Sequence, residues 1–242
     1  MADPLSGKTT KTSEPDGERA LRRVRILEAA GTLLARYGYL KTTVEDVARE
    51  AGVGKGTIYL HWKDKTSLFR AAIWHASRQA TEDMMARLAA DPEGGQFYRL
   101  WTHGMVAVYS NPLLSEVMSG RTDILRGLVD SLDPRTVSEL FGNSESQIAR
   151  LQAAGMIRRD LGPGLVTFMI TSLKLGIIEA ARFAPAVQSP RPDELAETLS
   201  ELMRRWLEPE RPPDDAEEGK RIIAEWLGQT NAIVGRDGDA QE

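Results

Sequence analysis

The chemistry in this sequence gathers in one short stretch, GKGTIYLHWKDK at residues 54–65. Lys55 is cationic, Thr57 is a small hydrogen-bonding residue, and Gly56 lets another backbone approach closely. Tyr59 and His61 follow, with Lys63 and Lys65 at the start of the next helical run. Cations, hydroxyls and exposed amides at helix starts are the groups that bind phosphates and base edges, so the stretch reads as a nucleic-acid contact surface. Thr43, just upstream, suits the N-cap of a short helix.

Side chains of this kind need a rigid support, and the flanking residues supply one. Val44, Val47 and Ala48 form an apolar face on one short helix. Ala48 is small where the next helix must cross. Gly52 can take the positive φ of a tight turn without a Cβ penalty. Val53 and Ile58 give the following helix its apolar face, and Trp62 closes the core behind it. This spacing of alanine, glycine, valine and isoleucine is that of a helix-turn-helix.

Ahead of it, Leu21, Val24, Ile26, Leu27, Ala30, Leu33, Leu34 and Tyr37 recur at helical spacing until Gly38 ends the run. Residues 1–17 are polar and read as a disordered arm. Its Lys8 and Lys11 are candidates for a minor groove, and Arg22 and Arg25 for a flanking phosphate. Asp64 caps a long fourth helix carrying Leu68, Phe69, Ala72, Ile73 and Ala76 and running through Trp74 and Met84. Further helices are expected at 96–110, 112–119, 121–130, 134–154, 163–183, 192–207 and 215–230, divided by proline and glycine punctuation. No stretch alternates with period two, so the fold class is all-α. The expected division is an arm at 1–17, a helix-turn-helix domain at 18–66 and a helical domain at 67–242.

Charge follows the same division. The whole chain of 242 residues carries a net charge of −4, but residues 1–75 hold 13 Lys and Arg against 9 Asp and Glu. The remainder holds 18 against 26, an acidic body behind a basic head. There are no cysteines, which excludes disulfides and thiolate metal sites and suits a cytoplasmic location. The first residues lack the apolar segment of a secretory signal, and no apolar run is expected to span a membrane. No glycine-rich phosphate loop, nucleophile elbow or paired metal signature occurs, and His61, His75 and His103 stand apart. An enzyme is not expected, nor a metal or cofactor. A purely architectural DNA binder is disfavoured by the roughly 170 residues beyond the head, which DNA binding alone does not require.

Residues 22–70 resemble the DNA-binding region of the TetR (tetracycline-repressor-like) family. The matching elements are Thr42-Thr43, Val47-Ala48, Ala51-Gly52-Val53, Gly56-Thr57-Ile58-Tyr59 and Trp62-Lys63-Asp64-Lys65. Gly54 stands where serine is commoner and Trp62 where phenylalanine is commoner. The resemblance implies a sequence-specific transcriptional regulator, most often a repressor, that binds a palindromic operator in double-stranded DNA. It assigns DNA contacts to Thr43, Lys55, Gly56, Thr57, Tyr59, His61 and Lys65. It also implies a small-molecule effector bound in the body. Candidates for that pocket, chosen by side-chain chemistry, are Trp101, His103, Met105, Tyr109, Met118, Arg121, Phe141, Phe168, Met169, Thr171 and Lys174. A homodimer is implied through 163–183 and 192–207, with Val166, Ile170, Leu173 and Ile177 on the first helix and Leu195, Leu199, Leu202, Met203 and Trp206 on the second; packing of these faces within the chain is the alternative. The amphipathic segment 215–230 is left to cover either its own bundle or the partner. Repression against activation stays open.

Overall fold

A computed structural model describes residues 16–118, 133–183, 190–213 and 216–239. All regular structure among them is helical: α1 (Asp16–Lys41), α2 (Val44–Glu50), α3 (Lys55–Tyr59), α4 (Lys65–Ala90), α5 (Phe97–Ser110), α6 (Pro112–Met118), α7 (Pro134–Ala153), α8 (Pro163–Phe183), α9 (Pro192–Leu207) and α10 (Glu217–Asp239). The expected arm and the expected helix at 121–130 lie almost wholly outside the described residues. The first helix leaves helical geometry at Gly38 (φ 75°, ψ 173°), where the sequence pattern ends, and adds a last short turn to Lys41.

The head is α1–α4 around one apolar core. Ile26, Ala30 and Leu34 of α1 meet Val47 and Ala48 of α2, Ile58 of α3, and Leu68 and Phe69 of α4, all buried. Trp62, at 1% exposure, fills the space behind α3. The same cluster takes in Leu113 and Leu114 of α6, so apolar packing continues from head to body.

A second cluster organises the body. Phe97, Trp101 and Met105 of α5 pack with Ile148 and Leu151 of α7, Val166 and Ile170 of α8, Leu199 and Met203 of α9, and Ile222, Ile223 and Trp226 of α10. Helix α5 lies against α9, where Thr102 and Ser200 share a hydrogen bond of 2.7 Å. The C-terminal segment covers its own chain: α10 packs on α7 and α4, with Arg150 and Glu225 paired at 2.7 Å. Its start is held by backbone contact. A Cβ built on Gly95 would stand 1.9 Å from the Ala216 carbonyl oxygen, and one on Gly219 would stand 2.3 Å from the Gly95 carbonyl oxygen. No larger residue fits either position without displacing backbone.

Two expectations are corrected here. Val166 and Ile170 are buried in their own chain; the apolar residues that α8 turns outward are Leu165, Phe168, Met169 and Leu175. On α9, Leu199 and Met203 are likewise interior, while Leu202 is exposed. The expectation about membrane length is also revised. Pro163–Ala181 has a mean hydropathy of 1.5 and is long and apolar enough to cross a membrane by length and composition. Only 17% of it is buried, so this helix presents most of its apolar surface outward.

Candidate nucleic-acid interface and internal cavity

The turn between α2 and α3 forms because each of its backbone groups finds a partner. Gly52 takes φ 65°, and the Val53 amide donates to the Ala48 carbonyl at 2.9 Å. That bond ties the start of α3 to the end of α2 and fixes their crossing. Ile58 then points inward, while Lys55, Gly56 and Tyr59 are exposed and Thr57 is half-buried. Helix α3 starts at Gly54 without any side-chain cap.

Charges and hydroxyls on this surface are already engaged. The Lys55 ammonium pairs with the Glu45 carboxylate, and lies 5.7 Å from the centre of the Tyr59 ring. The hydrogen bond from Lys55 holds the Glu45 carboxyl below its usual range, and the same bond raises the Lys55 pKa. Both side chains are about half exposed, so a phosphate or base edge competes for Lys55 at little desolvation cost. Thr43 is the N-cap of α2. Its hydroxyl accepts from the Asp46 amide at 3.1 Å and donates to the Asp46 carboxylate at 2.7 Å, while its own amide donates to that carboxylate. The capping box therefore occupies the hydroxyl proton a phosphate would want.

Lys65 does not simply project. Its ammonium lies 4.5 Å from the Tyr39 ring centre and 5.5 Å from that of Phe69, and the Tyr39 hydroxyl hydrogen-bonds the Thr66 hydroxyl at 3.0 Å. Two aromatic faces thus hold the cation at the first turn of α4. His61 is half-buried against Trp62, with ring centres 5.3 Å apart. Asp64 caps α4 by accepting from the Ser67 amide at 2.7 Å, which holds the Asp64 pKa below its ordinary value despite some desolvation. Two participants were missed from sequence. Glu45 orients Lys55, its only signal being an acid in the first turn of α2; Tyr39 supports Lys65, and nothing local announces that.

In the body, α4, α5, α6, α7, α8 and α10 line a half-open cavity of about 420 Å³. Met84 of α4, Phe97, Trp101 and Met105 of α5, and Trp226 and Leu227 of α10 make it chiefly apolar. Ser77, Thr81, Ser144 and Thr230 add hydroxyls, and Lys174 adds a cation. Of the pocket candidates chosen from sequence, Trp101, Met105, Met118 and Lys174 lie on this wall. The other described candidates lie elsewhere, each for its own reason. His103 instead donates from Nε2 to the Asp91 carboxylate at 2.7 Å, in a cluster with Arg99 that joins the end of α4 to α5. Desolvation would raise the Asp91 pKa, but hydrogen bonds from His103, the Glu93 amide and Arg99 outweigh it and hold it low. Tyr109 packs at the edge of the second core, where desolvation raises its pKa. Phe141 and Phe168 are exposed, and Thr171 is half-buried off the wall. Arg121 lies outside the described residues. The wall contributed by α10 was not anticipated, because nothing local in residues 226–230 shows which helices they will face.

Among the described residues no cluster of His, Asp and Glu could hold a metal ion.

Residues 26–72 match the family model described as bacterial regulatory proteins, tetR family. Over 195 residues the chain is 25% identical to the HTH-type transcriptional repressor Rv1474c of Mycobacterium tuberculosis, covering 77% of this chain and 95% of that relative. NalD, the secondary repressor of the MexAB-OprM multidrug efflux pump in Pseudomonas aeruginosa, superposes with a TM-score of 0.53 at 24% identity, over 81% of this chain and 100% of NalD. The transcriptional regulator FadR from Bacillus subtilis, solved in complex with stearoyl-CoA, gives a TM-score of 0.53 at 20% identity, over 74% of this chain and 96% of that one. At such identities the two superpositions speak for the fold: an N-terminal helix-turn-helix on a helical C-terminal body.

Proposed function

We propose that the chain is a TetR-family transcriptional regulator, a repressor that binds a palindromic operator as a homodimer and leaves it when a small molecule fills the cavity. The observation that carries this reading is the course of α4. It starts at Asp64 beside the contact surface, runs 26 residues or about 39 Å, and supplies Ser77, Ala80, Thr81 and Met84 to the cavity wall. A ligand that favours one tilt of α4 changes the spacing of two heads, provided it binds that arrangement more tightly than the other. FadR from Bacillus subtilis in complex with stearoyl-CoA, a protein of the same fold, supports a ligand-responsive body.

In this reading residues 18–66 form the DNA-binding unit and 67–242 the sensing and dimerising unit. Thr43, Lys55, Gly56, Thr57, Tyr59, His61 and Lys65 contact the duplex. Lys55 and Thr57 read bases once Glu45 releases the lysine. Lys65 and His61 meet phosphates, and Thr43 serves chiefly as a cap. The outward apolar residues of α8, together with Leu202 on α9, bind a second copy, since an exposed strip of Leu165, Phe168, Met169 and Leu175 is costly in water. With that face covered the protein works in the cytoplasm.

Selection of bound duplexes from a random pool tests the reading. An inverted repeat should emerge, with two or four chains per site. Lys55→Ala and Thr57→Ala should lose preference for that repeat, whereas Lys65→Ala should weaken cognate and random DNA alike and flatten the salt dependence. A single asymmetric site bound by one chain, or equal sequence-blind losses for all three variants, would refute it.

A further inference from the structure

Lys174 is the one charged side chain among the described residues that line the cavity. It stands on α8, and its ammonium lies 5.7 Å from the centre of the Trp101 ring. No carboxylate of the described residues pairs with it, in contrast to Arg99, Arg150 and Lys55, each of which has an acid partner. The residue as a whole is exposed, so a ligand can reach it. Desolvation by the atoms packed around it lowers its pKa from the usual lysine value. The remaining polar groups on the wall are the neutral hydroxyls of Ser77, Thr81, Ser144 and Thr230.

We propose that the ligand of this cavity is an amphipathic organic anion whose carboxylate pairs with the Lys174 ammonium while its apolar body lies against Phe97, Trp101, Met105 and Trp226. The proposal rests on the reading of the cavity as the effector site and names the chemistry it selects. An ammonium on a mostly apolar wall, with no acid of the described residues beside it, lacks a counter-charge, and an anion supplies it. The π-face of Trp101 stabilises the cation only in part, and it leaves the other side of the ammonium for a ligand. The same arrangement discriminates. A cationic ligand meets like charge, and a neutral one of equal shape leaves the ammonium unpaired. The indole and phenyl groups, including Phe97 and Trp226 stacked with ring centres 6.2 Å apart, offer flat surfaces to the apolar portion. The hydroxyls of Ser77 and Thr81 sit on α4, so a ligand anchored at Lys174 and reaching across the cavity touches the helix that leads to the head.

Paired probes test this: decanoate with decan-1-ol, and naphthalene-2-carboxylate with 2-naphthylmethanol. Binding to the full-length protein is read by tryptophan fluorescence and by isothermal titration. In the wild type, each carboxylate should bind about tenfold or more tightly than its alcohol. Lys174→Met should abolish that preference by weakening the acids while leaving the alcohols within about twofold. Lys174→Arg should restore most of it. Equal affinity of acid and alcohol in the wild type, a preference that survives Lys174→Met, or no binding by either carboxylate overturns the proposal. The wild-type comparison needs no variant, so a variant that misfolds does not rescue it. Operator release is measured separately. Charge-selective binding that never releases DNA would defeat the sensing reading alone. Release by ligands without regard to charge would defeat this proposal alone.

Discussion

Head and body solve opposite problems with the same secondary structure. In the head three of the contact groups are already paired or capped: Lys55 with Glu45, Thr43 with Asp46, Lys65 over Tyr39. Its core is filled, with Trp62 and Phe69 almost wholly buried. The body keeps a cavity of about 420 Å³ and an ammonium with no acid of the described residues beside it. It also turns the apolar residues of α8 outward. A reading surface gains from rigidity, because base and phosphate contacts must be held in register. A sensor gains from unfinished packing, which leaves ligand and partner something to complete.

The sharpest way to break this contrast is to hollow the head. Trp62→Ala removes a side chain at 1% exposure and should cost about 3–5 kcal/mol, measured by urea unfolding. Binding of a carboxylate probe in the cavity should persist wherever the variant stays folded. Loss of less than about 1 kcal/mol would mean that the head is not packed as described. Next in size is Gly95→Ala. Its new methyl group meets the Ala216 carbonyl, and the strain should cost about 1–3 kcal/mol. Amide exchange over residues 217–239 should accelerate while exchange in α1–α3 does not. Uniform acceleration would show that α10 and the head fold as one unit.

A pH effect follows, set where the two regions meet. His75 is buried on α4, its Nε2 has no hydrogen-bond partner, and desolvation lowers its pKa, with Arg78 adding to the shift. The folded state therefore resists protonation more than the unfolded chain, whose histidine titrates near 6.5. Stability from this source is complete above about pH 6.5 and is lost as pH falls toward the folded value. His75→Phe should flatten the stability profile between about pH 5 and 7, and leave untouched the acid loss below about pH 4 that belongs to Asp91. An unchanged slope at pH 5–7 would assign that loss to other groups. The smallest effect is Gly54→Ser. A Cβ there meets only the Thr57 hydroxyl at 3.9 Å, and the serine can accept from the Thr57 amide. A gain of a few tenths of a kcal/mol is expected from the new cap.

The same contrast explains what the sequence disclosed. Ala48, Gly52, Val53 and Ile58 act within eleven residues, so their spacing alone specifies the turn, and Gly52 has the positive φ that spacing demanded. Helix boundaries in the body were also legible, because prolines open α6, α7, α8 and α9. The cavity was not, since its wall joins residues from Ser77 to Thr230 across six helices. Side-chain chemistry selected Phe168 and Thr171 for the pocket, yet the helix carrying them is apolar on most of its circumference. A helix of that kind does not reveal from periodicity which face meets its own core and which is left outward. The docking of α10 was hidden for a different reason: it depends on the missing side chains of Gly95 and Gly219, which look like ordinary loop and helix glycines.

The central claim is that these two regions communicate through α4. Operator affinity should be measured by fluorescence anisotropy, with cavity occupancy followed in the same samples by tryptophan emission. The account predicts that a ligand filling the cavity weakens operator binding about 5- to 150-fold, and that operator weakens ligand binding by the same factor. Full occupancy of the cavity with operator affinity unchanged would contradict it.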